Sequence, residues 1–292
     1  MDPNQIPVAC VYHADCVDGT TAAALVLKRF PHVTLFPLSH RAPEKINPLL
    51  STLPPSALVY MVDTTTAADV ILAAGHRLTI IDHHASTEEK IRDWINDGKA
   101  IEFFYDSLES AATLTHKILF PTVTMSELLK YVRDSDLWSE QFSETKHVVN
   151  YLSTFRNQPA VLLERLSLPA PKVIEYGEII TNYIEASLAR HLSLPPIKLS
   201  LGEHLVSAYN ITDHESLCGN LLAKQNGCAT VMFTIMGEKV KFSFRSLPGQ
   251  NPTALKLATL TGGGGHEHSA GGEMTLGDFL QAIQVATSYN QN

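Results

Sequence analysis

Asp82-His83-His84 stands directly behind the apolar run Leu78-Thr79-Ile80-Ile81. A short β-branched run ending in Asp and His puts ligand-capable groups at the carboxyl end of a buried strand, where open α/β sheets bind their substrates. Two other runs do the same. Val8-Ala9-Cys10-Val11-Tyr12 leads into His13-Ala14-Asp15-Cys16-Val17-Asp18-Gly19, and Ala57-Leu58-Val59-Tyr60-Met61-Val62 ends in Asp63. One strand-end carboxylate is commonly a helix cap or a turn, but three such ends together point to a site that binds metal. Asp with His suits Mn2+, Mg2+ or Zn2+, and an oxygen-rich set with few imidazoles favours Mn2+ or Mg2+. His13, Asp18, Asp63, His83, His84 and Asp134 are enough for two ions, with Asp134 expected at a helix-to-loop exit within Tyr131-Val132-Arg133-Asp134-Ser135-Asp136-Leu137-Trp138. Two ions that share a carboxylate can activate water and neutralise phosphate charge during in-line displacement.

Those strand ends need a sheet to hold them in line. After Gly19 the Ala- and Leu-rich residues 20–30 predict a helix behind the first strand, and Ile101-Glu102-Phe103-Phe104-Tyr105 predicts a further strand followed by a helix over 107–119. Thr124-x-x-Glu127 has the form of a capping box for a helix running through Tyr131. Alternating strands and helices predict an α/β fold with a mostly parallel sheet covered by helices on both faces. Residues 160–191 predict a helical stretch punctuated by Pro169 and Pro171, ending before Leu194-Pro195-Pro196. From Ile197 the pattern becomes short strands over 197–201, 205–209, 229–235 and 240–244 around a helix near 216–225, then a glycine-rich loop. The expected organisation is a catalytic domain over 1–155, a helical linker over 156–196 and a smaller α+β domain over 197–292, with a cleft between the domains.

Composition sets the outer bounds. The 292 residues are 45% hydrophobic and 18% charged, enough apolar surface for two full cores. Cys10, Cys16, Cys218 and Cys228 form no Cys-x-x-Cys pair, and no secretory start follows Met1, which predicts a reduced, cytoplasmic setting. No apolar run approaches the roughly 20 residues that span a bilayer. The net charge is −8, concentrated in residues 1–155, where 19 acidic side chains face 12 basic ones. Such a chain lacks the basic footprint needed to hold long duplex nucleic acid. Converging carboxylates repel one another and await cations.

These residues resemble the DHH phosphoesterases. Asp82-His83-His84, the strand ending in Asp63, the His13…Asp18-Gly19 start and Asp134 look like the motifs of the catalytic DHH domain. Phe242-Ser243-Phe244-Arg245-Ser246, then Gly262-Gly263-Gly264-Gly265-His266 and Ala270-Gly271-Gly272, look like that family's DHHA1 substrate domain. The resemblance runs from Val8 to about Leu280, with both halves in the family's order. It implies a metal-dependent phosphoesterase or phosphodiesterase with two ions, Mn2+ foremost and Mg2+ or Zn2+ as alternatives. By that resemblance His13 binds the first ion, Asp18 the second, and Asp63 bridges them. His83 and Asp134 complete the second site, Asp82 orients an imidazole or handles a proton, and His84 faces the phosphate. Arg245, Gly264, Gly265 and His266 would hold a terminal phosphate or nucleotide, since glycine backbone N–H groups approach an anion closely.

The first motif departs from the family's Asp-x-Asp-Gly. Aligning on Asp18-Gly19 puts Cys16 where the first Asp would stand and leaves Asp15 one residue out of step. Asp15 is the favoured ligand because a hard carboxylate matches the rest of the set; a Cys16 thiolate would favour a softer metal. The expected substrates are short nucleotides: oligoribonucleotides, a cyclic dinucleotide or a phosphorylated adenosine phosphate. A homodimer stays open. The reading from another class is a nucleotide-binding sensor that kept the fold without the catalysis.

Overall fold

The computed structural model describes residues 7–40, 42–99 and 101–284. Residues 1–6 and 285–292, the outer ends of the two expected domains, lie outside the described residues. The chain divides into two compact units, Met1–Asn182 and Tyr183–Asn292.

The first unit runs β1 (Val8–His13), α1 (Val17–Arg29), β2 (Thr34–Leu38), α2 (Ile46–Thr52), β3 (Leu58–Val62), α3 (Ala68–Ala73), β4 (Arg77–Asp82), α4 (Ala85–Asn96) and β5 (Ile101–Tyr105). The helices α5 (Ala111–Leu119), α6 (Leu128–Asp136), α7 (Thr145–Ser153), α8 (Pro159–Arg165) and α9 (Ala170–Leu192) follow. The strands form one parallel sheet in the order β2-β1-β3-β4-β5. Side chains alternate across a strand, and the two parities enter two different cores. Ala9, Val11, Val59, Met61, Leu78 and Ile80 pack with Ile46, Leu49, Ile71 and Ile91 from α2, α3 and α4. Cys10, Tyr12, Tyr60, Val62 and Ile81 pack on the other face with α1, α5 and α6. Both faces are therefore covered, as the near-continuous apolar strands require. Each fully buried Val, Ile or Leu in them contributes about 1.5–3 kcal/mol.

The expected helix over 160–191 is two helices, α8 and α9. Pro171 falls in the first turn of α9, where a missing N–H costs nothing. Leu162, Leu166, Ala170 and Val173, all within the span expected as a linker, belong to the core beneath α1. Leu188 and Leu192, at the far end of α9, pack in the second unit. The Thr124/Glu127 capping box does not form: α6 starts at Leu128, and Glu127 at its N-cap makes no side-chain cap bond. Ser126 Oγ accepts the Leu128 N–H at 3.4 Å and donates to the Leu166 carbonyl instead. The box that does form belongs to α5, where Ser110 and Thr113 cap each other reciprocally, so that helix begins at Ala111.

The second unit adds β6 (Ile197–Leu201), β7 (His204–Asn210), α10 (Glu215–Asn226), β8 (Thr230–Met236), β9 (Lys239–Arg245), α11 (Ala254–Thr259), β10 (Gly264–His266), β11 (Ser269–Thr275), α12 (Leu276–Ala282) and β12 (Ile283–Gln284). Its mixed sheet has the order β10-β11-β9-β8-β7-β6-β12, and only β7 and β8 pair in parallel, across the crossover helix α10. Leu199, Val206, Val231, Phe242 and Phe244 form its core with Leu257 and Phe279.

Candidate metal centre

Sheet register builds the first unit's site. Tyr12 lies opposite Val62, and Val62 opposite Ile81. One residue further on, His13, Asp63 and Asp82 therefore stand in line at the carboxyl ends of β1, β3 and β4. Asp63 adopts φ +59°, a left-handed conformation that Asp tolerates better than most residues, and donates its N–H to the Ile81 carbonyl. Helix α1 approaches these ends through Gly19. A Cβ there would lie 2.7 Å from the His13 carbonyl oxygen and 3.0 Å from Asp63 Oδ2.

Around Asp63 the ligand-capable atoms crowd together. His83 Nε2 is 3.5 Å from Asp63 Oδ1, 3.1 Å from Asp136 Oδ2 and 4.0 Å from Asp18 Oδ2. His13 Nδ1 is 3.4 Å from Asp63 Oδ2. Among the described residues three groups could hold a metal: His13, Cys16 and Asp63; Asp18, His83 and Asp136; and Asp63, Asp82, His83 and His84, each with ligand atoms within 4.8 Å of one another. Asp63 Oδ2, Asp82 Oδ2, His83 Nε2 and Asp136 Oδ2 are buried without a hydrogen-bond partner. Buried polar atoms are ordinarily hydrogen-bonded, so four without a hydrogen bond on facing side chains fit a cation.

Charge at the site follows from this crowding. Burial opposes ionisation of Asp63, yet the imidazoles of His13 and His83 outweigh it and hold the carboxyl at about 2. Burial, then the charges of Asp63 and Asp136, push Asp18 well above the usual carboxylate range; burial and Asp63 raise Asp136 likewise. His83 resists charging through burial, but Asp63, Asp136 and Asp18 prevail and raise it to about 9. A divalent cation would relieve the same repulsion.

Asp82 acts one step away. Its Oδ1 accepts the backbone N–H groups of His83 and His84 at 2.7 and 3.2 Å and lies 2.6 Å from His84 Nδ1. That bond raises the His84 pKa and turns its ring. Asp18 accepts from the Ala111 and Ala112 N–H groups at 2.6 and 2.9 Å, so it also anchors the start of α5.

Two expected ligands stand elsewhere. Asp134 is buried, but its carboxylate accepts from Ser139 Oγ and Gln141 N at 2.7 Å, Phe142 N at 3.4 Å and Thr145 Oγ1 at 2.5 Å. It ties the loop after α6 together. Asp136 enters the site in its place, because residues two apart on a helix point about 200° away from each other and only one can face the strand ends. Asp15 also turns away. It takes φ +59°, and its N–H and Oδ1 both bond to the Asn157 side chain, at 2.9 and 2.6 Å. Cys16 Sγ joins His13 and Asp63 instead, with a thiol pushed far up by burial and by the charges of Asp63 and Asp18. The extra residue in the first motif is thus absorbed as an outward turn at Asp15.

His40, which the sequence did not single out, stands beside the first of these groups. It follows β2, its ring centroid is 4.4 Å from that of His13, and its Nδ1 is 2.5 Å from Thr66 Oγ1.

In the second unit Arg245 pairs with Ser269 and Ser269 with His266. Arg245 and His266 thus share a register row and line one cavity of about 720 Å3. Arg245 Nη2 donates to Ser216 Oγ at 2.5 Å and its Nη1 to the Phe244 carbonyl at 2.7 Å. The glycine run is an edge hairpin as much as a loop. A Cβ at Gly263 would meet the Gly271 carbonyl oxygen at 2.0 Å, and Gly265 has φ +145° with a Cβ position 2.7 Å from Ala270 Cα. Only at Gly264 would a side chain meet nothing within 4 Å among these three.

Neither a protein-family model nor a curated protein sequence matches the chain. Among solved structures it is similar to the pGpG-specific phosphodiesterase PggH from Vibrio cholerae, with TM-score 0.54 and 13% identity over 94% of this chain and 95% of that one. It is also similar to exonuclease RecJ bound to manganese, with TM-score 0.50 and 13% identity over 94% of this chain and 87% of that one. At that identity the likeness carries the fold. The chain has the two-unit architecture of these proteins, the one expected from its resemblance to the DHH phosphoesterases.

Proposed function

We propose that this chain is a metal-dependent phosphoesterase that hydrolyses phosphodiester bonds in short nucleotides. The observation that carries the reading is the set of four buried atoms without a hydrogen bond on Asp63, Asp82, His83 and Asp136. His13, Cys16 and Asp63 would hold one divalent cation, and Asp18, His83 and Asp136 a second, with Asp63 between them. Cations held there supply the positive charge that activates water and offsets the charge of the phosphate. Mn2+ suits the mostly carboxylate and imidazole set, and a Cys16 ligand favours Zn2+ over Mg2+.

The chain's own residues supply the rest. Asp82 accepts from His84 Nδ1 and orients its ring; in its charged form His84 would donate a hydrogen bond to a phosphate oxygen or pass a proton to the leaving oxygen. Arg245 and His266 would hold a further phosphate through charge-assisted bonds, with the Gly264–His266 backbone beside them. A pGpG phosphodiesterase and an exonuclease among the structures of similar fold support short nucleotides as the substrate class. The test is hydrolysis by metal-depleted protein of a panel of dinucleotides, cyclic dinucleotides, phosphorylated adenosine phosphate and pyrophosphate, with Mn2+, Mg2+ or Zn2+ restored. Metal-dependent release of mononucleotides is expected. Nucleotide binding without turnover under every metal would instead mark a nucleotide sensor.

A further inference from the structure

Asn157, between α7 and α8, reaches the first motif from 142 residues away. Its side chain meets Asp15 twice. Oδ1 accepts the Asp15 N–H at 2.9 Å, and Nδ2 donates to Asp15 Oδ1 at 2.6 Å. An amide suits this task because it offers an acceptor and a donor side by side. The Asn157 N–H donates to Thr20 Oγ1 at 3.2 Å, and that hydroxyl donates to the Cys16 carbonyl at 2.7 Å. Asn157 therefore holds both residues of the turn, Asp15 directly and Cys16 through Thr20.

Packing sets this clasp without help from an ion. Leu162 of α8 and Leu166 at its end are buried in the same core as Ala22, Ala23 and Val26 of α1, which carries the loop before α8 to the start of α1. Asn157 and Asp15 both take left-handed backbone, with φ +60° and +59°, a conformation that Asn and Asp reach more readily than most residues. Cys16 is extended, with φ −106° and ψ 137°, and as the N-cap of α1 it makes no side-chain cap bond. Its sulfur is thus left for the group it forms with His13 and Asp63. Two neighbouring residues, a carboxylate and a thiol, compete for one place beside His13 and Asp63. The turn gives that place to the thiol while Asp15 is held outward.

We propose that Asn157 is a positioning residue that selects the metal at the first ion. The proposal rests on the reading that His13, Cys16 and Asp63 hold that cation. With Asp15 clasped, the set contains one soft sulfur and favours Zn2+. With Asp15 released, a hard carboxylate becomes available at the same turn, and the preference moves toward Mn2+. A loop that merely braced α1 would affect both metals alike.

The test compares the full parent chain with Asn157→Asp and Asn157→Gly, both of which tolerate the left-handed backbone. Asn157→Asp keeps an acceptor for the Asp15 N–H and sets a like charge against the Asp15 carboxylate. Co2+ bound to the parent should give the ultraviolet sulfur-to-cobalt absorption of a thiolate ligand, and Cys16→Ser should lack it. In both Asn157 variants that absorption should fall while Co2+ stays bound. Their preference for Zn2+ over Mn2+, measured by competition, should drop about 10-fold. Adding Asp15→Asn to Asn157→Gly should restore both, since no carboxylate remains to take the place of the thiol. Absorption and preference unchanged in both variants, or Zn2+ and Mn2+ affinities that fall in parallel, would overturn the role of Asn157 and leave the ligands of the first ion standing. A parent without the absorption would overturn Cys16 as a ligand and this proposal with it. None of these outcomes depends on turnover, which the hydrolysis panel tests separately.

Discussion

His83 Nε2 and Asp136 Oδ2 lie 3.1 Å apart, both buried and neither in a hydrogen bond. With Asp18 they make up a group whose ligand atoms lie close enough together to hold a metal ion. Asp134, two residues earlier, has every carboxylate contact satisfied within its own loop. The two aspartates should therefore fail differently.

Asp136→Asn should lower kcat/KM by about 100-fold or more while leaving the urea midpoint near that of the parent. Asp134→Asn should cost about 1–3 kcal/mol of stability through the buried donors it unpairs. Parallel denaturation and kinetic measurements decide it. An Asp134→Asn protein of full stability and no activity would return Asp134 to the site.

The first motif makes a second pair. Cys16→Ser should weaken Zn2+ binding far more than Mn2+ binding, because a thiolate is the soft member of an otherwise hard set. Asp15→Asn should leave metal occupancy unchanged, since Asp15 is engaged by Asn157. Metal content of the dialysed proteins reads both, and the reverse order would place Asp15 at the first ion.

Gly19→Ala probes the packing that brings α1 to the strand ends. The added Cβ must displace the His13 carbonyl or the Asp63 carboxylate. Overpacking of this kind costs about 1–3 kcal/mol, and metal affinity should fall with it. If calorimetry finds both unchanged, the close approach at Gly19 is not what sets the position of Asp63.

His116 gives a pH dependence away from the metal centre. It is buried in α5, and burial followed by the charge of Lys28 holds its pKa below the ordinary histidine range. Folding then favours the neutral ring, so its contribution is present above the unfolded pKa of about 6.5 and is lost as pH falls below that value. The stability of the parent relative to His116→Gln should decline between about pH 7 and pH 5. A difference that stays flat over that range would show that His116 titrates alike in the folded and unfolded chain.

The strands and the shared strand end were legible because β-branched runs closing in Asp or His are a local pattern, and parallel register does the rest. Phase was harder to read. Asp134 and Asp136 both sit in the last turn of α6, and only the packing of that helix decides which one faces inward. At Asp15 and Cys16 the choice turned on a left-handed residue, which neither side-chain chemistry nor spacing announces. His40 escaped because β2 is short and half-exposed, with Pro37 inside it, so its strand end carried no clear apolar signature. In the second unit the glycine run looked like an anion loop. Much of it is needed to let β10 and β11 approach.

Mn2+ titration of the metal-free chain, read by calorimetry with the parent and Asp63→Ala compared, tests the metal centre most directly. Asp63 belongs to two of the three ligand groups and lies between the other ligands. Two Mn2+ ions per parent chain are expected, with a marked loss of affinity for both in Asp63→Ala and hydrolysis of a dinucleotide that disappears with them. A parent chain that binds no Mn2+, or an Asp63→Ala chain that binds two as tightly and remains fully active, would contradict it.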